Sequence, residues 1–205
     1  MNFPECFFVT GTDTGVGKTV ICALLAAGLD ASYWKPVQSG SEEGLDSDLV
    51  AFWAGLATER IMPGTYTLRD PLSPHLAAER MGIRIDPGSM HIPVTKGPLI
   101  IEGAGGIMVP LNDETLLIDW VKSLSLPVLV VAPNRLGVIN HALLTISVLR
   151  LYRLEIMGII LNGRPCIDHV QAIEHFGRAP VLAQVRPMSD MNPAQLKSKF
   201  REYFE

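Results

Sequence analysis

The chain has 205 residues, of which 48% are of hydrophobic type and 19% are charged, and its formal net charge at pH 7 is -4. A chain of this length and composition can bury a substantial core, and we expect a single domain over residues 1–205. The mildly acidic balance disfavours nucleic acid and anionic membranes as partners attracted by overall charge, so small molecules are the expected partners.

The cysteines and the amino-terminal residues predict where the protein resides. Cys6, Cys22 and Cys166 are far apart and form no CxxC pair, which argues against a disulfide framework and against a zinc cluster. No basic segment precedes the apolar run Cys6–Val9, which is too short for a signal peptide or a membrane span. We therefore expect a cytoplasmic protein with no membrane association.

Short apolar runs bounded by Gly, Pro and Asn predict strands. In chain order these are Cys6–Thr10, Ala31–Pro36, Leu99–Glu102, Val128–Ala132, Met157–Leu161 and the less apolar Val181–Val185. The segments with helical spacing are Lys18–Leu29, Thr115–Leu124, Ile139–Leu151, Ile167–Phe176 and Pro193–Tyr203. This alternation predicts an α/β fold, a doubly wound and mostly parallel sheet with helices on both faces. Ligands bind such sheets beyond the carboxyl ends of the strands.

The first predicted strand leads into the sequence GTDTGVGKT, residues 11–19, and a predicted helix follows. A Gly-rich loop in this context directs backbone N–H groups toward one point, and the helix start adds partial positive charge, so a phosphate group is the expected guest. We expect Lys18 at the β- and γ-phosphates and the Thr19 hydroxyl at magnesium. Five residues separate Gly11 from Gly17, whereas the common loop has about four. The loop alone therefore predicts nucleotide binding and no particular reaction.

Charged residues lie at the ends of two other predicted strands. Glu102, followed by the Gly-rich residues 103–106, is either a magnesium ligand beside the loop or the start of a surface turn. Lys35 is either a second cation for phosphoryl transfer or a solvated surface residue. Asp46 and Asp48 open a further helical segment, where aspartate ordinarily acts as an N-cap or interacts with the helix dipole.

Seven segments together resemble the dethiobiotin synthetase family. In family order they are GTDTGVGKT (11–19), KPVQSG (35–40), SD (47–48), SPH (73–75), EGAGG (102–106), RLGVINHALLT (135–145) and the Asn162 that ends GIILN. The resemblance implies an enzyme of biotin synthesis that uses ATP and Mg²⁺. Its substrate would be 7,8-diaminononanoate, which is carboxylated with CO2 to a carbamate, phosphorylated by ATP, and closed to dethiobiotin with release of ADP and phosphate.

The resemblance also implies roles for individual residues. The nucleotide-binding set is Asp13, Thr14, Gly15, Val16, Gly17, Lys18, Thr19 and Val20, with Asn162 at the adenine and Pro187 on a bordering loop. The implied magnesium ligands are Thr19, Asp48 and Glu102, and the implied catalytic residues are Lys18, Lys35, Thr14 and Ser39. The implied substrate contacts are Ser39, Gly105, Val138, Ile139 and Asn140. The last three would hold the substrate carboxylate from the second subunit of a homodimer.

The chain departs from the family pattern in residues 83–98. Three prolines, Pro87, Pro93 and Pro98, interrupt this segment, and a proline inside a helix costs about 3 kcal/mol. We therefore expect the helix that the family has here to be short or absent. His75 and His141 lie within matching segments, and for both a structural role is the simpler interpretation.

Two other functions are compatible with the predicted fold. A glutamine-dependent amide synthase needs a glutaminase portion with a nucleophilic cysteine, for which this chain has no spare length. A nucleotide switch of the partitioning-ATPase type usually carries an extra lysine near the start of the loop, where this chain has Thr12 and Asp13. Both alternatives are less compatible with the sequence than dethiobiotin synthesis.

Overall fold

Strands and helices alternate along the chain, and the computed structural model describes residues 1–205. The strands are β1 (Cys6–Gly11), β2 (Ser32–Trp34), β3 (Val37–Gln38), β4 (Ile61–Met62), β5 (Tyr66–Thr67), β6 (Leu99–Gly106), β7 (Val128–Pro133), β8 (Ile156–Asn162) and β9 (Val181–Val185). The α-helices are α1 (Lys18–Leu29), α2 (Asp46–Ala54), α3 (Pro74–Arg80), α4 (Leu117–Leu124), α5 (Val138–Leu151), α6 (Ile167–Gly177) and α7 (Pro193–Phe204). None of these helices is both long and apolar enough to cross a membrane.

Seven of the strands form one sheet in the order β4-β2-β6-β1-β7-β8-β9, and β3 and β5 form a separate pair. Every pairing is parallel. The strand order reverses at β1, whose neighbours are β6 and β7, and such a switch point is where open α/β sheets bind ligands. The predicted doubly wound α/β fold is confirmed.

Helices cover both faces of the sheet because successive side chains of a strand point to opposite sides. In β1, Phe7 and Val9 pack on the side of α1, α2 and α7, whereas Phe8 packs on the side of α4, α5 and α6. The two layers are of similar size, with 28 and 23 buried residues. The central strands are therefore covered on both faces, which explains their continuous apolar sequence.

The predicted elements differ from the structure mainly between residues 31 and 66. The strand predicted at Ala31–Pro36 ends at Trp34, and the chain continues in the separate strand β3. Pro36 lacks the N–H group that a ladder hydrogen bond requires, so the strand cannot continue through it. The sequence did not predict β4 and β5, because two-residue strands are too short to show a periodic pattern.

The segment before β6 contains the short helix α3, which the sequence also did not predict, and a 3-10 turn at Pro87–Ser89. Between α3 and β6 this 3-10 turn is the only helical element, so no α-helix forms over residues 83–98. Ile85 and Met90 from this segment are buried in the core layer that also contains Phe8. Two irregularly placed apolar side chains therefore contribute to the covering of the sheet here.

Candidate active site

A cleft of about 970 Å³ lies beyond the carboxyl ends of β1, β2 and β6. The Gly-rich loop, the start of α2, the segment before α3 and the end of β6 form its walls. The predicted site residues that line it are Thr14, Gly15, Gly17, Lys18, Thr19, Val20, Lys35, Ser39, Asp48, Glu102 and Gly105. The fold thus brings most of the predicted phosphate, metal and reacting-group residues to one cleft.

The loop between β1 and α1 depends on glycine at two positions. Gly15 and Gly17 have φ angles of 71° and 92°, a region that other residues adopt only with strain. A Cβ atom on Gly17 would lie 2.0 Å from Nδ2 of Asn162. Gly17 is also the N-cap of α1 and supplies no capping side chain, so the first N–H groups of the helix remain available to an anion.

Lys18 is a buried cation at the base of this loop. The residue is 6% exposed, and its Nζ donates to the carbonyl oxygen of Asp13 at 3.1 Å. Burial lowers the pKa of Lys18; nearby Glu102 opposes this shift, and the like charge of Lys35 adds to it. A bound phosphate would offset the desolvation of this ammonium group, so the site favours an anion.

Glu102 is fully buried within β6, where it lies opposite Val9 of β1. Its Oε1 accepts hydrogen bonds from Nζ of Lys35 at 3.0 Å and from Oγ1 of Thr19 at 3.2 Å. Its Oε2 accepts a hydrogen bond from the hydroxyl of Tyr33 at 2.9 Å. A buried carboxylate is costly unless it is paired, and these three donors satisfy it. Glu102 is therefore an interior residue and not the start of a surface turn.

Lys35 is also an interior residue, 8% exposed. It forms ion pairs with Glu102 and with Asp46. Burial alone would lower the pKa of Lys35, but the two carboxylates outweigh that effect, and the pKa is raised. The backbone N–H of Asp46 donates to Oε1 of Gln38 at 3.3 Å, which links the start of α2 to the segment after β2. Lys35 is thus a paired buried cation and not a solvated surface lysine.

The two aspartates of α2 have different surroundings. Both lie in the first helical turn, where negative charge is favourable, and the N-cap is Leu45 rather than either aspartate. Asp46 pairs with Lys35, whereas Asp48 is exposed and lines the cleft without an ion pair. The pairing of Asp46 with Lys35 could not be predicted from the sequence, because it depends on how the segment after β2 folds back.

The donor set suits a hard divalent cation, although no group of three or more His, Cys, Asp and Glu side chains is arranged to hold a metal ion. The Thr19 hydroxyl and the Glu102 carboxylate lie within hydrogen-bonding distance of each other and both face the cleft. Oxygen ligands of this kind are those that Mg²⁺ prefers, and Mg²⁺ usually completes its coordination with waters and substrate phosphates. A magnesium site therefore needs only a few ligands from the protein, and the small number found here is compatible with one.

The predicted polar groups near the reacting centre are also placed by the structure. Ser39 lines the cleft, and its Oγ is buried with no hydrogen-bond partner. The backbone N–H of Thr14 donates to Oδ1 of Asp13 at 2.7 Å, which fixes the top of the loop. Gly105 has φ of 65°, and a Cβ there would lie 3.4 Å from Oγ1 of Thr14. The loop and the end of β6 thus approach each other closely.

The predicted adenine residues lie outside the cleft lining. Asn162 ends β8, and its Nδ2 donates to the carbonyl oxygen of Val16 at 3.0 Å, so it contacts the Gly-rich loop directly. Pro187 is exposed in the segment that follows β9. Both therefore lie at the carboxyl edge of the sheet on the β8–β9 side of β1.

The predicted carboxylate-binding residues Val138, Ile139 and Asn140 form the first turn of α5 and do not line the cleft of the same chain. The N-cap of α5 is Gly137, with no side-chain cap. His141 follows in this turn and is exposed. His75 lies at the start of α3, and its buried Nδ1 has no hydrogen-bond partner. Neither histidine lines the cleft.

Sequence reasoning missed two residues that surround Glu102. Tyr33 lies in an apolar strand and was not distinguishable from an ordinary core residue. Cys22 lies three positions after Thr19 and therefore on the same face of α1; burial, together with the nearby Glu102 carboxylate, raises the pKa of its thiol. The helical spacing from Thr19 was the only signal that pointed to Cys22.

Comparison with known proteins identifies close relatives. A family model described as an AAA domain matches residues 5–195. The ATP-dependent dethiobiotin synthetase BioD of Paramagnetospirillum magneticum is 50% identical over 92% of this chain and 91% of its own length. BioD of Brucella ovis is 44% identical over 96% of this chain and 92% of its own length. The biotin biosynthesis bifunctional protein BioCD of Bordetella avium is 48% identical over 94% of this chain, which covers 41% of that protein.

Solved structures share the fold at low sequence identity. A ParA family ATPase from Chlorobium tepidum TLS has a TM-score of 0.60 and 14% identity, with 97% of this chain and 96% of that chain covered. The septum site-determining protein MinD from Pyrococcus horikoshii, complexed with Mg-ADP, has a TM-score of 0.52 and 15% identity, with 97% and 93% covered. At such identities the likeness establishes the fold alone. The sequence relatives decide the family, and with 44% and 50% identity to BioD proteins over more than nine-tenths of its length, the chain belongs to the ATP-dependent dethiobiotin synthetase family.

Proposed function

We propose that this chain catalyses the ATP-dependent carboxylation and ring closure of 7,8-diaminononanoate with CO2, giving dethiobiotin, ADP and phosphate. The observation that carries the proposal is the convergence of buried Lys18, Lys35 and Glu102 on one cleft beside the Gly-rich loop, in a chain 50% identical to a named dethiobiotin synthetase. The mildly acidic net charge of -4 supports small molecules, rather than nucleic acid or a membrane, as the partners.

The proposed reaction requires two anions, a carbamate and a triphosphate, to approach each other. Lys18 and Lys35 provide positive charge where both are largely shielded from water, and charge acts more strongly in such a setting. The ion pairs of Lys35 with Glu102 and Asp46 hold its ammonium group at the cleft before the substrates bind. No side chain needs to act as a base in carbamate formation, because a free amine attacks CO2 directly.

The proposed magnesium ligands are Thr19, Glu102 and Asp48. When bound, Mg²⁺ would neutralise phosphate charge and polarise the phosphoryl oxygens. Asp13, Thr14, Gly15, Val16, Gly17, Lys18, Thr19 and Val20 are proposed to surround the phosphates, with Asn162 and Pro187 at the adenine. The contact between the Asn162 side chain and the Val16 carbonyl oxygen supports this assignment, since it places Asn162 directly behind the loop.

Thr14, Ser39 and Gly105 are proposed to contact the reacting groups. The Ser39 hydroxyl is buried without a partner, and a substrate amine or carbamate oxygen would satisfy it. A Cβ at residue 105 would lie 3.0 Å from Cγ2 of Val109, and the φ of 65° also disfavours any residue with a side chain there. Ser39 and Gly105 are therefore proposed to border the space that the carbamate would occupy.

We further propose a homodimer in which Val138, Ile139 and Asn140 hold the substrate carboxylate for the cleft of the second subunit. A helix start with no side-chain cap is suited to a carboxylate, and these residues are outside the cleft of their own chain. Leu136, Leu144 and Leu151 on and beside α5 are 98%, 58% and 77% exposed. Exposed apolar side chains of this kind are consistent with a protein partner at this helix.

The proposed reaction is tested by incubating the protein with MgATP, 7,8-diaminononanoate and ¹³C-bicarbonate. We expect dethiobiotin that carries one ¹³C atom in its ureido carbonyl, detected by mass spectrometry, together with ADP. The Lys18→Ala variant is the matched control for contaminating activity. Formation of ADP without dethiobiotin would contradict the proposal and would favour a nucleotide switch.

A further inference from the structure

We propose that Tyr33 is a positioning residue that fixes the orientation of the Glu102 carboxylate and determines which of its oxygens faces the cleft. The inference rests on the proposed function, in which Glu102 helps to bind the cation that accompanies ATP. Tyr33 itself does not line the cleft, so it would act through Glu102 alone.

The strand register explains why Tyr33 reaches this carboxylate. In the parallel pair β2–β6, Tyr33 lies opposite Ile100. Glu102 is two residues further along β6 and therefore projects from the same face of the sheet as Ile100. Tyrosine is long enough to span this diagonal separation, and its hydroxyl donates to Oε2 of Glu102 at 2.9 Å.

The two carboxylate oxygens of Glu102 have separate partners. Oε2 accepts the hydrogen bond from the Tyr33 hydroxyl on the interior side. Tyr33 and Glu102 are both 0% exposed. Oε1 is bonded to Lys35 and Thr19, which both line the cleft. The Tyr33 hydroxyl thereby holds one oxygen inward and leaves the other for ligands. Without it, Oε2 would lose its hydrogen bond, and rotation of the carboxylate would redistribute the bonds of Lys35 and Thr19.

A purely structural role for the hydroxyl makes a different prediction. A buried hydrogen bond that only supports the fold changes stability, and it leaves the magnesium dependence of nucleotide binding unchanged. A positioning role changes how much Mg²⁺ improves ATP binding, because partners behind a metal ligand commonly alter metal affinity by roughly 10- to 100-fold. The difference between ATP affinity with and without Mg²⁺ therefore separates the two roles.

The experiment measures the dissociation constant of ATP by calorimetry, in saturating Mg²⁺ and in EDTA, for wild type and Tyr33→Phe. We expect the Mg²⁺-dependent gain in ATP affinity to fall roughly tenfold in Tyr33→Phe, with affinity in EDTA changed by less than about twofold. An unchanged gain in this variant, or the absence of any gain in wild type, would overturn the inference.

Trp34→Phe is the matched control. Trp34 is the next residue of β2, is buried on the opposite face, and its Nε1 donates to the carbonyl oxygen of Pro63 at 3.1 Å. This variant also removes a side-chain hydrogen bond from β2, here a partly buried one, but leaves Glu102 untouched. It should lower the melting temperature and retain the wild-type Mg²⁺-dependent gain; loss of the gain in this control would also overturn the inference.

A second comparison covers the case in which Tyr33→Phe does not fold. In the Glu102→Gln background the residue facing position 33 is neutral, so loss of the hydroxyl should be tolerated and the double variant should fold. Failure of Tyr33→Phe to fold in both backgrounds would contradict the inference, since Tyr33 would then support the fold independently of Glu102. These measurements use ATP binding and circular dichroism, so they give an answer whether or not dethiobiotin is formed.

Discussion

A carboxylate with 0% exposure can persist only where donors reach it. Glu102 is satisfied by Thr19 from α1, Tyr33 from β2, and Lys35 from the segment that follows β2. The same three contacts hold Lys35 and Thr19 at the cleft. Charge at residue 102 therefore contributes to the arrangement of the cleft as well as to its proposed chemistry.

Glu102→Gln replaces this charge with a neutral amide of nearly the same shape. We expect the variant to need more Mg²⁺ for half-maximal ATP turnover, because an amide oxygen binds a divalent cation more weakly than a carboxylate does. A magnesium titration of ADP formation measures the shift. Asp113→Asn is the control, since Asp113 is an exposed carboxylate paired with Arg84. Equal magnesium midpoints in Glu102→Gln and wild type would remove Glu102 from the proposed metal site.

Lys18→Ala should reduce turnover by roughly 10²- to 10³-fold, the range seen when one preorganised electrostatic contact is removed. The fold should be retained, because burial lowers the pKa of Lys18 and its charge is therefore not a net source of stability. Steady-state kinetics and circular dichroism measure the two effects. Lys122→Ala, at an exposed position of α4, should behave as wild type. Turnover within about twofold of wild type in Lys18→Ala would exclude a catalytic role for this amine.

At the scale of elements, α1 is held between the sheet and α7. Gly28 lies in the last turn of α1 and contacts the ring of Phe200 from α7; a Cβ at residue 28 would lie 1.9 Å from Cγ of that ring. Glycine inside a helix costs about 1 kcal/mol relative to alanine. Its presence here is explained by the direct contact between the Phe200 ring and the helix backbone.

Gly28→Ala should therefore destabilise the protein despite the better helix propensity of alanine. Overpacking a tight contact costs about 1–3 kcal/mol. This cost is at least as large as the gain of about 1 kcal/mol in helix propensity that alanine brings. Urea unfolding of the variant measures the change. Adding Phe200→Leu should restore part of the lost stability, because leucine is smaller than the phenylalanine ring. A Gly28→Ala protein more stable than wild type would show that α7 moves away at little cost.

The elements also show how far the sequence could predict the structure. The strands β1, β6, β7, β8 and β9 were predictable because continuous apolar runs between turn residues mark buried parallel strands. The strands β4 and β5 were not predictable, because a two-residue strand is too short to show the alternation of apolar and polar residues that marks a strand. Lys35 and Glu102 were predictable only as candidates, since a surface residue and a member of a buried ion pair can have the same local sequence. Their partners Asp46 and Tyr33 depend on chain segments that come together only in the folded sheet.

Across the whole chain, the start of α5 is not part of the lining of the cleft. None of the residues Val138, Ile139 and Asn140 lines the cleft, yet the proposed function assigns them to the substrate carboxylate. A second copy of the chain would reconcile these two positions, and the exposed Leu136, Leu144 and Leu151 provide apolar area for it.

Mixing two inactive variants tests the shared site. Lys18→Ala impairs the loop of its own chain, and Asn140→Asp places a negative charge where the substrate carboxylate is proposed to bind. In a mixed dimer, one of the two clefts would combine a wild-type loop with a wild-type α5. Dethiobiotin formation should then recover to about a quarter of the wild-type rate after subunit exchange, if the two chains mix randomly in a twofold dimer. No recovery, in samples that light scattering shows to contain mixed dimers, would contradict site sharing.

The bonds that hold Glu102 join residues far apart along the chain: Thr19 is 83 positions away and Tyr33 is 69 positions away. Contacts of such long range form slowly during folding, because the intervening chain must first be ordered. The pocket for ATP would thus be completed only after β1, β2 and β6 have paired. Nucleotide added during refolding should consequently leave the early kinetic phases unaltered and slow only the unfolding of molecules that have already reached the native state.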